Sequence, residues 1–257
     1  MPTLDRNGVA IHYEVHGDMQ QDDAPVVLLS HGYSATAQMW RGQLDALAHY
    51  RTITWDMRGH GHSDSPDDPA LYSEAHTVAD MAALLDHVGA GRAVIAGLSL
   101  GGYMSLAFHA ALPARTQALM LFDTGPGYRN DAGRAGWNRT ANDRAEALER
   151  DGLAALGQGA EVRQSTHRSA QGLAHAARGM LAQVDARVID SLPGIAVPTL
   201  VLVGENDTPF LTGSDYMARK IPGAVKVVLP GAGHAANIDQ PEAFNRAMLS
   251  FLDSLPR

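Results

Sequence analysis

Ser99 stands between two glycines in Gly97-Leu98-Ser99-Leu100-Gly101, after the apolar run AVIAG and before LGGYMSLAFHAAL. If the first is a buried strand and the second a helix, the serine occupies the connection between them. A tight strand-to-helix reversal strains the backbone of its central residue and crowds the positions two before and two after, and glycine at 97 and 101 relieves that crowding. The reversal exposes Oγ beside the free N–H groups of the helix start. A nucleophile needs the exposure, and the anion formed on attack needs the donors. A serine hydroxyl is weakly nucleophilic near neutral pH, so the chemistry also requires a histidine base and an acid to orient it.

Of twelve histidines, His234 in GAGHAAN follows the last apolar run and precedes the C-terminal helical pattern, in a glycine-flanked loop at the same sheet edge. For the acid, Asp207 in VGENDTP follows the preceding apolar run and would lie beside that loop. Asp123 is the rival, because it ends the strand after the serine helix; it reads mainly as a strand-end capping group.

Other chemistries fit these residues less well. Residues 93 to 112 carry no Asp, Glu, Lys or Arg, and the run is long enough for a membrane span, but Gly97, Ser99, Gly101 and Gly102 interrupt it. A dinucleotide loop of the G-x-G-x-x-G type fails at its second glycine, where Ser99 stands. HGHSD at 60 to 64 has a His-x-His-x-Asp spacing that can bring ligands to zinc. Such sites usually continue with another histidine where this chain has Ser65, and the segment reads better as a loop stiffened by Gly59 and Gly61. The serine chemistry itself calls for neither metal nor cofactor.

The elements that must position these groups are legible in the hydropathy pattern. VVLLS (26–30), TITWD (52–56), AVIAG (93–97), ALMLFD (118–123), TLVLVGE (199–205) and VKVVLP (225–230) are nearly continuous apolar runs, as expected of parallel strands buried on both faces. Residues 38–49, 76–88, 100–111 and 241–255 place apolar side chains at helical intervals. Asn7-Gly8 between residues 3–5 and 9–15 predicts a hairpin. Strand and helix alternate as in a doubly wound α/β sheet.

Residues 126–190 break the alternation. They hold no strand-like run, are rich in alanine and arginine, and show helical patches around 138–150 and 175–189, with Arg139/Asp143 and Glu146/Arg150 at i,i+4 spacing. This predicts a helical insertion of 126–190 on a single core of 1–125 and 191–257. A chain of 257 residues with 45% hydrophobic residues can bury such a core. A net charge of −8 gives no basic footprint for nucleic acid or an anionic membrane. Zero cysteines remove disulfides and thiolate chemistry, and MPTLDRNGVA lacks a secretory apolar segment, so the expected location is cytoplasmic.

Ser99, Asp207 and His234 in that chain order, with SHGY at 30–33 and DMRGHGHSD at 56–64, resemble the α/β-hydrolase superfamily over nearly the whole chain. The resemblance implies an oxyanion hole from the backbone N–H groups of Tyr33 and Leu100, a loop-shaping role for His31, and a cap formed by 126–190 that shapes substrate choice. It implies a serine esterase or lactonase acting on a small ester or lactone through an acyl-enzyme. The serine argues against the aspartate-nucleophile branches, haloalkane dehalogenases and epoxide hydrolases. Esterases, enol-lactonases and cofactor-free perhydrolases carry similar elbows. Many carbon-carbon bond hydrolases have a polar residue where Leu98 stands, which lowers that alternative; a non-catalytic binder on the same fold is the remaining one. Tyr33, Trp40, Leu98 and Trp137 are expected near the pocket, with ordinary packing at least as good an account of Trp40 and Trp137.

Overall fold

The computed structural model describes residues 1–17 and 25–256. Eight strands form one sheet in the order β1-β2-β4-β3-β5-β6-β7-β8. They are β1 (Thr3–Asp5), β2 (Ala10–His16), β3 (Val26–Ser30), β4 (Arg51–Trp55), β5 (Ala93–Leu98), β6 (Thr116–Phe122), β7 (Thr199–Gly204) and β8 (Val225–Leu229). The first two pair antiparallel around Asn7 and Gly8, both at positive φ, as the turn residues predict. β2 also runs antiparallel to β4, and every later pairing is parallel.

The helices are α1 (Arg41–Leu44), α2 (Glu74–His87), α3 (Leu100–Ala111), α4 (Asp131–Asp151), α5 (Ala160–Arg163), α6 (Ala170–Ala176), α7 (Arg187–Ser191), α8 (Thr208–Lys220), α9 (Ala236–Asp239) and α10 (Pro241–Asp253). Alternating side chains of the central strands serve two cores. Leu28, Ile95, Leu119 and Val201 pack with α2, α3 and α8 on one face. Leu29, Ala96, Met120 and Leu202 pack with Trp40 and with Phe244, Met248 and Phe251 of α10 on the other. Both faces of the strands are therefore apolar, which is why they read as continuous hydrophobic runs.

The uncharged run 93–112 is the central strand β5 followed by α3, whose residues Leu100 to His109 are all buried. Among the described residues no helix is long and apolar enough to cross a membrane.

Outside residues 126–190, three readings change. β8 is an edge strand with only its last residue, Leu229, buried, and Val225 is 53% exposed; it has β7 on one side and, among the described residues, no strand beyond. The helix expected over 38–49 shortens to a 3₁₀ turn and α1, followed by i→i+3 turns such as Tyr50 N–H to Leu47 O. Gly42 weakens helix there, and buried Gln43 spends its amide on Asn237 O and Asn245 Oδ1 instead. The segment after Asp207 is a full helix, α8, which the strand reading passed over.

Between β6 and β7 the described residues form helices and turns with no strand. Asn130 caps α4 by accepting from Gly133 N–H at 2.7 Å, and Ala141, Ala145 and Leu148 turn one helix face inward. The patch at 175–189 is not one helix but the end of α6, a π-helical turn (Ala177–Leu181) and the start of α7. The two i,i+4 pairs do not form. Glu149 pairs with Arg178 across to the π turn, Arg150 with Asp151, and Glu146 accepts from Asn142.

Candidate active site

β3 and β5 are neighbours, and chain connections leave them toward opposite sheet edges, so a crevice opens outside their carboxyl ends. Ser99 lies there with φ 54° and ψ −114°, a conformation an L-residue adopts only when its surroundings hold it. Ser99 N–H donates to Phe122 O, while its carbonyl accepts from Thr124 Oγ1 at 2.7 Å and from Tyr103 N–H. A Cβ on Gly97 would sit 2.3 Å from the Gly101 carbonyl carbon, and one on Gly101 would sit 2.2 Å from Ser30 O. Both glycines are thus required by close backbone approach.

The loop after β3 comes up beside this turn, since a Cβ on Gly32 would lie 3.5 Å from Ser99 Cβ. Tyr33 N–H and Leu100 N–H donate no hydrogen bond among the described residues, and Leu100 opens α3, where the helix leaves its amides unsatisfied.

His234 follows β8 in a turn held by Gly233 N–H donating to Asp239 Oδ2. Its Nδ1 lies 2.8 Å from Oδ2 of Asp207, which is 3% exposed at the start of α8. Nδ1–H donates to the carboxylate, leaving Nε2 with the lone pair in the neutral ring. Phe210, one turn along α8, stacks on the imidazole at 4.9 Å and 24°.

Asp123 is placed differently. It is fully buried, at φ 44°, and its Oδ1 accepts from Gly204 N–H at 2.7 Å, tying the ends of β6 and β7 together. Its Oδ2 has no partner among the described residues. Burial, aided by the charge of Asp207, pushes its carboxyl well above the usual range.

A cavity of about 340 Å³ opens on Ser99. Leu100, Tyr103, Phe210 and Tyr216 form one part of its wall, and Trp137, Leu181 and Ile189, from the segment between β6 and β7, form another. None of the described residues lining it is charged. Trp137 donates Nε1–H to Leu181 O, so its ring is fixed. Trp40 and Leu98 lie elsewhere. Trp40 is fully buried against Phe122 and Phe244, a position worth about 3–5 kcal/mol of packing rather than substrate contact, and Leu98 points into the same core. Tyr33 donates its hydroxyl to Leu173 O and lines a separate cavity of about 460 Å³ with Arg144 and Glu161. Phe210 and Tyr216 went unread in the sequence because α8 did. Their spacing after Asp207 was the available signal.

Three buried imidazoles shape the loop beside Ser99. His31 Nδ1–H donates to Gly32 O and its Nε2 accepts from Met57 N–H; His60 Nε2 accepts from Ser34 N–H; His167 Nε2–H donates to Ser34 O. His60 also bonds Arg58 O, and Asp64 accepts from Ala10 N–H, so the His-x-His-x-Asp spacing does not converge. Burial lowers all three histidines, His31 from 6.5 to about 4. With folded values below unfolded ones, the unfolded chain binds protons first as pH falls, so this stabilisation is complete above pH 6.5 and drains away toward pH 4. Thermal melts should show Tm falling through that window, and a His167→Gln variant should fall less steeply. Equal slopes would remove His167 from this account.

A family model described as the alpha/beta hydrolase family matches residues 26–247. The 3-oxoadipate enol-lactonase 1 of Acinetobacter baylyi is 30% identical over 271 residues, covering 97% of this chain and 96% of that protein. Among solved structures, the enol-lactonase from Burkholderia xenovorans is similar at a TM-score of 0.78 and 28% identity, covering 98% of this chain and all of that one. A thermophilic esterase from Thermogutta terrifontis, determined with malate bound, is similar at a TM-score of 0.83 and 29% identity, covering 98% and 97%.

Proposed function

We propose, from the premise that the chain belongs to the alpha/beta hydrolase family, that it is a serine hydrolase cleaving a small neutral carboxylic ester or lactone, acting in the cytoplasm. What carries the reading is the left-handed Ser99 opening on an apolar cavity walled by Phe210, the ring that stacks on the carboxylate-bound His234.

In the proposed cycle His234 Nε2 takes the Ser99 proton as Oγ attacks the carbonyl carbon, and Asp207 stabilises the imidazolium. Tyr33 N–H and Leu100 N–H receive the oxyanion. The imidazolium returns its proton to the departing alkoxide; water, deprotonated by the same histidine, then attacks the acyl carbonyl, and that proton passes to Ser99 Oγ as the acid leaves. Ser99 Oγ makes no hydrogen bond to His234 here, and such contacts commonly tighten only with substrate bound. In this reading residues 126–190 are a cap on the core of 1–125 and 191–257, contributing Trp137, Leu181 and Ile189 to the acyl site. Enol-lactonase and esterase relatives support lactone or ester cleavage as the chemistry.

The uncharged cavity sets the substrate preference. On p-nitrophenyl esters from acetate to decanoate, each added methylene should gain about 0.8 kcal/mol, roughly fourfold in kcat/KM, until the cavity is full. A hemisuccinate ester should be worse than its neutral isostere, since none of the described residues lining the cavity is a cation. Preference for the hemisuccinate would overturn the neutral-substrate assignment. Failure to turn over any ester above background would favour the non-catalytic binder.

A further inference from the structure

Side chains of β2 alternate, with Ile11, Tyr13 and Val15 packing into the core that also holds α2, so His12, Glu14 and His16 share the opposite face. The loop after β4 is stitched against that face. Asp56 N–H donates to His12 O, His12 N–H donates to Ser63 Oγ at 2.8 Å, and Ser63 Oγ–H donates to Asp56 O. This brings His12, Asp56 and His62 together with one donor atom of each within 4.8 Å of the others, and the two imidazoles meet edge-on at 5.1 Å.

Three observations distinguish the cluster from a solvated group of polar residues. Asp56 is 1% exposed, and its only ion-pair partner among the described residues is His62; Ala37 N–H and His62 N–H bond its oxygens, but no lysine or arginine balances the charge. His12 Nδ1 lies 3.1 Å from the Pro2 carbonyl, which can only accept, so Nδ1 donates and Nε2 is left with the lone pair, the arrangement that orients metal-binding histidines. The spacing also fits. A tetrahedral ion with ligands at about 2.0–2.1 Å needs donors roughly 3.3–3.4 Å apart. His62 Nδ1 lies 3.6 Å from Asp56 Oδ2, and the donor atoms of His12, Asp56 and His62 all lie within 4.8 Å of one another, so small inward rotations of the side chains would seat an ion.

We infer that His12, His62 and Asp56 form a binding site for a divalent transition cation of the Zn²⁺ class, with water completing its coordination. Two imidazoles and one carboxylate suit such an ion better than Mg²⁺ or Ca²⁺, which take oxygen donors. The ion would fasten β2 to the loop whose Asp56 also accepts from Ala37 N–H, giving it a structural role apart from Ser99 chemistry.

The test is titration of chelator-stripped full-length protein with ZnCl₂, and with MgCl₂ as control, by calorimetry and thermal melting. One Zn²⁺ per chain should bind, raising Tm by about 5–10 °C at a hundredfold excess over Kd, with no response to Mg²⁺. His62→Ala, altering a partly exposed side chain, should weaken binding by more than the roughly 10–100-fold that loss of a supporting partner costs. His12→Ala should do the same, and exposed His49→Ala should not. If His12→Ala fails to fold, His62→Ala still decides. Co²⁺ loaded into wild type should give the intense visible absorption of a tetrahedral site, absent in His62→Ala. No saturable Zn²⁺ uptake, or uptake unchanged in His62→Ala, overturns the site.

Discussion

Replacing Ser99 with alanine is expected to lower kcat/KM for the best p-nitrophenyl ester by about 10⁴-fold or more while leaving the melting temperature nearly unchanged. The two halves of that expectation have separate causes. Ser99 is held at φ 54° by hydrogen bonds from its own backbone and by the close approach of Gly97 to Gly101, none of which involves Oγ. Alanine has the same Cβ and meets the same left-handed strain, so it adds no new cost. In the proposed cycle Oγ forms the acyl-enzyme, so removing it would leave only the proposed oxyanion donors and the cavity to assist water. Steady-state kinetics with paired thermal melts would check this. A variant hydrolysing as fast as wild type would place the chemistry elsewhere, and a variant that loses activity together with many degrees of stability would leave the nucleophile unassigned.

What could be read from the sequence depended on how local the physical cause was. The strands flanking Ser99 declared themselves because two cores cover the sheet and both faces of β3, β5, β6 and β7 are apolar. Gly97 was legible because the backbone of Gly101, four residues on, crowds it, whereas the close approach to Gly101 comes from the distant Ser30 and His31 carbonyls. β8 looked equally buried, but exposure at an edge is set by the strand that does not follow it, which no local pattern reports. α8 was missed because Thr208-Pro209-Phe210 opens it with turn-like residues, and with it went Phe210 and Tyr216 of the cavity wall. Trp40 reads equally as a pocket or a packing residue in the sequence, and Phe122 and Phe244, distant in sequence, are what draw its ring into the core. The cluster of His12 with His62 is hidden for the same reason, because the forty-nine residues between them must fold before the strand meets the loop.

Asp207→Asn should lower kcat by about 10⁴-fold, whereas Asp123→Asn should leave it within a few-fold of wild type, a contrast that decides between the two acids the sequence offered. Asp207 Oδ2 receives the proton-bearing Nδ1 of His234 at 2.8 Å. An asparagine there can present its NH₂, which stabilises the tautomer with the proton on Nε2 and leaves no lone pair facing the serine. Asp123 touches no histidine, and asparagine keeps the oxygen that accepts from Gly204 N–H. The same substitution carries a second, opposite signature in stability. Burial raises Asp123 well above 3.8, so the folded state holds a proton that the unfolded state releases, and folding becomes progressively less favourable as pH rises from 3.8 toward the folded value. Asparagine cannot ionise and escapes that penalty. The Asp123→Asn protein should therefore gain stability relative to wild type as pH rises through that range and keep the gain at neutral pH. If Asp123→Asn instead lost activity as Asp207→Asn does, the orienting acid would have to be reassigned to the end of β6. A gain in relative stability toward acid pH would show that the Asp123 carboxyl is ionised in the fold.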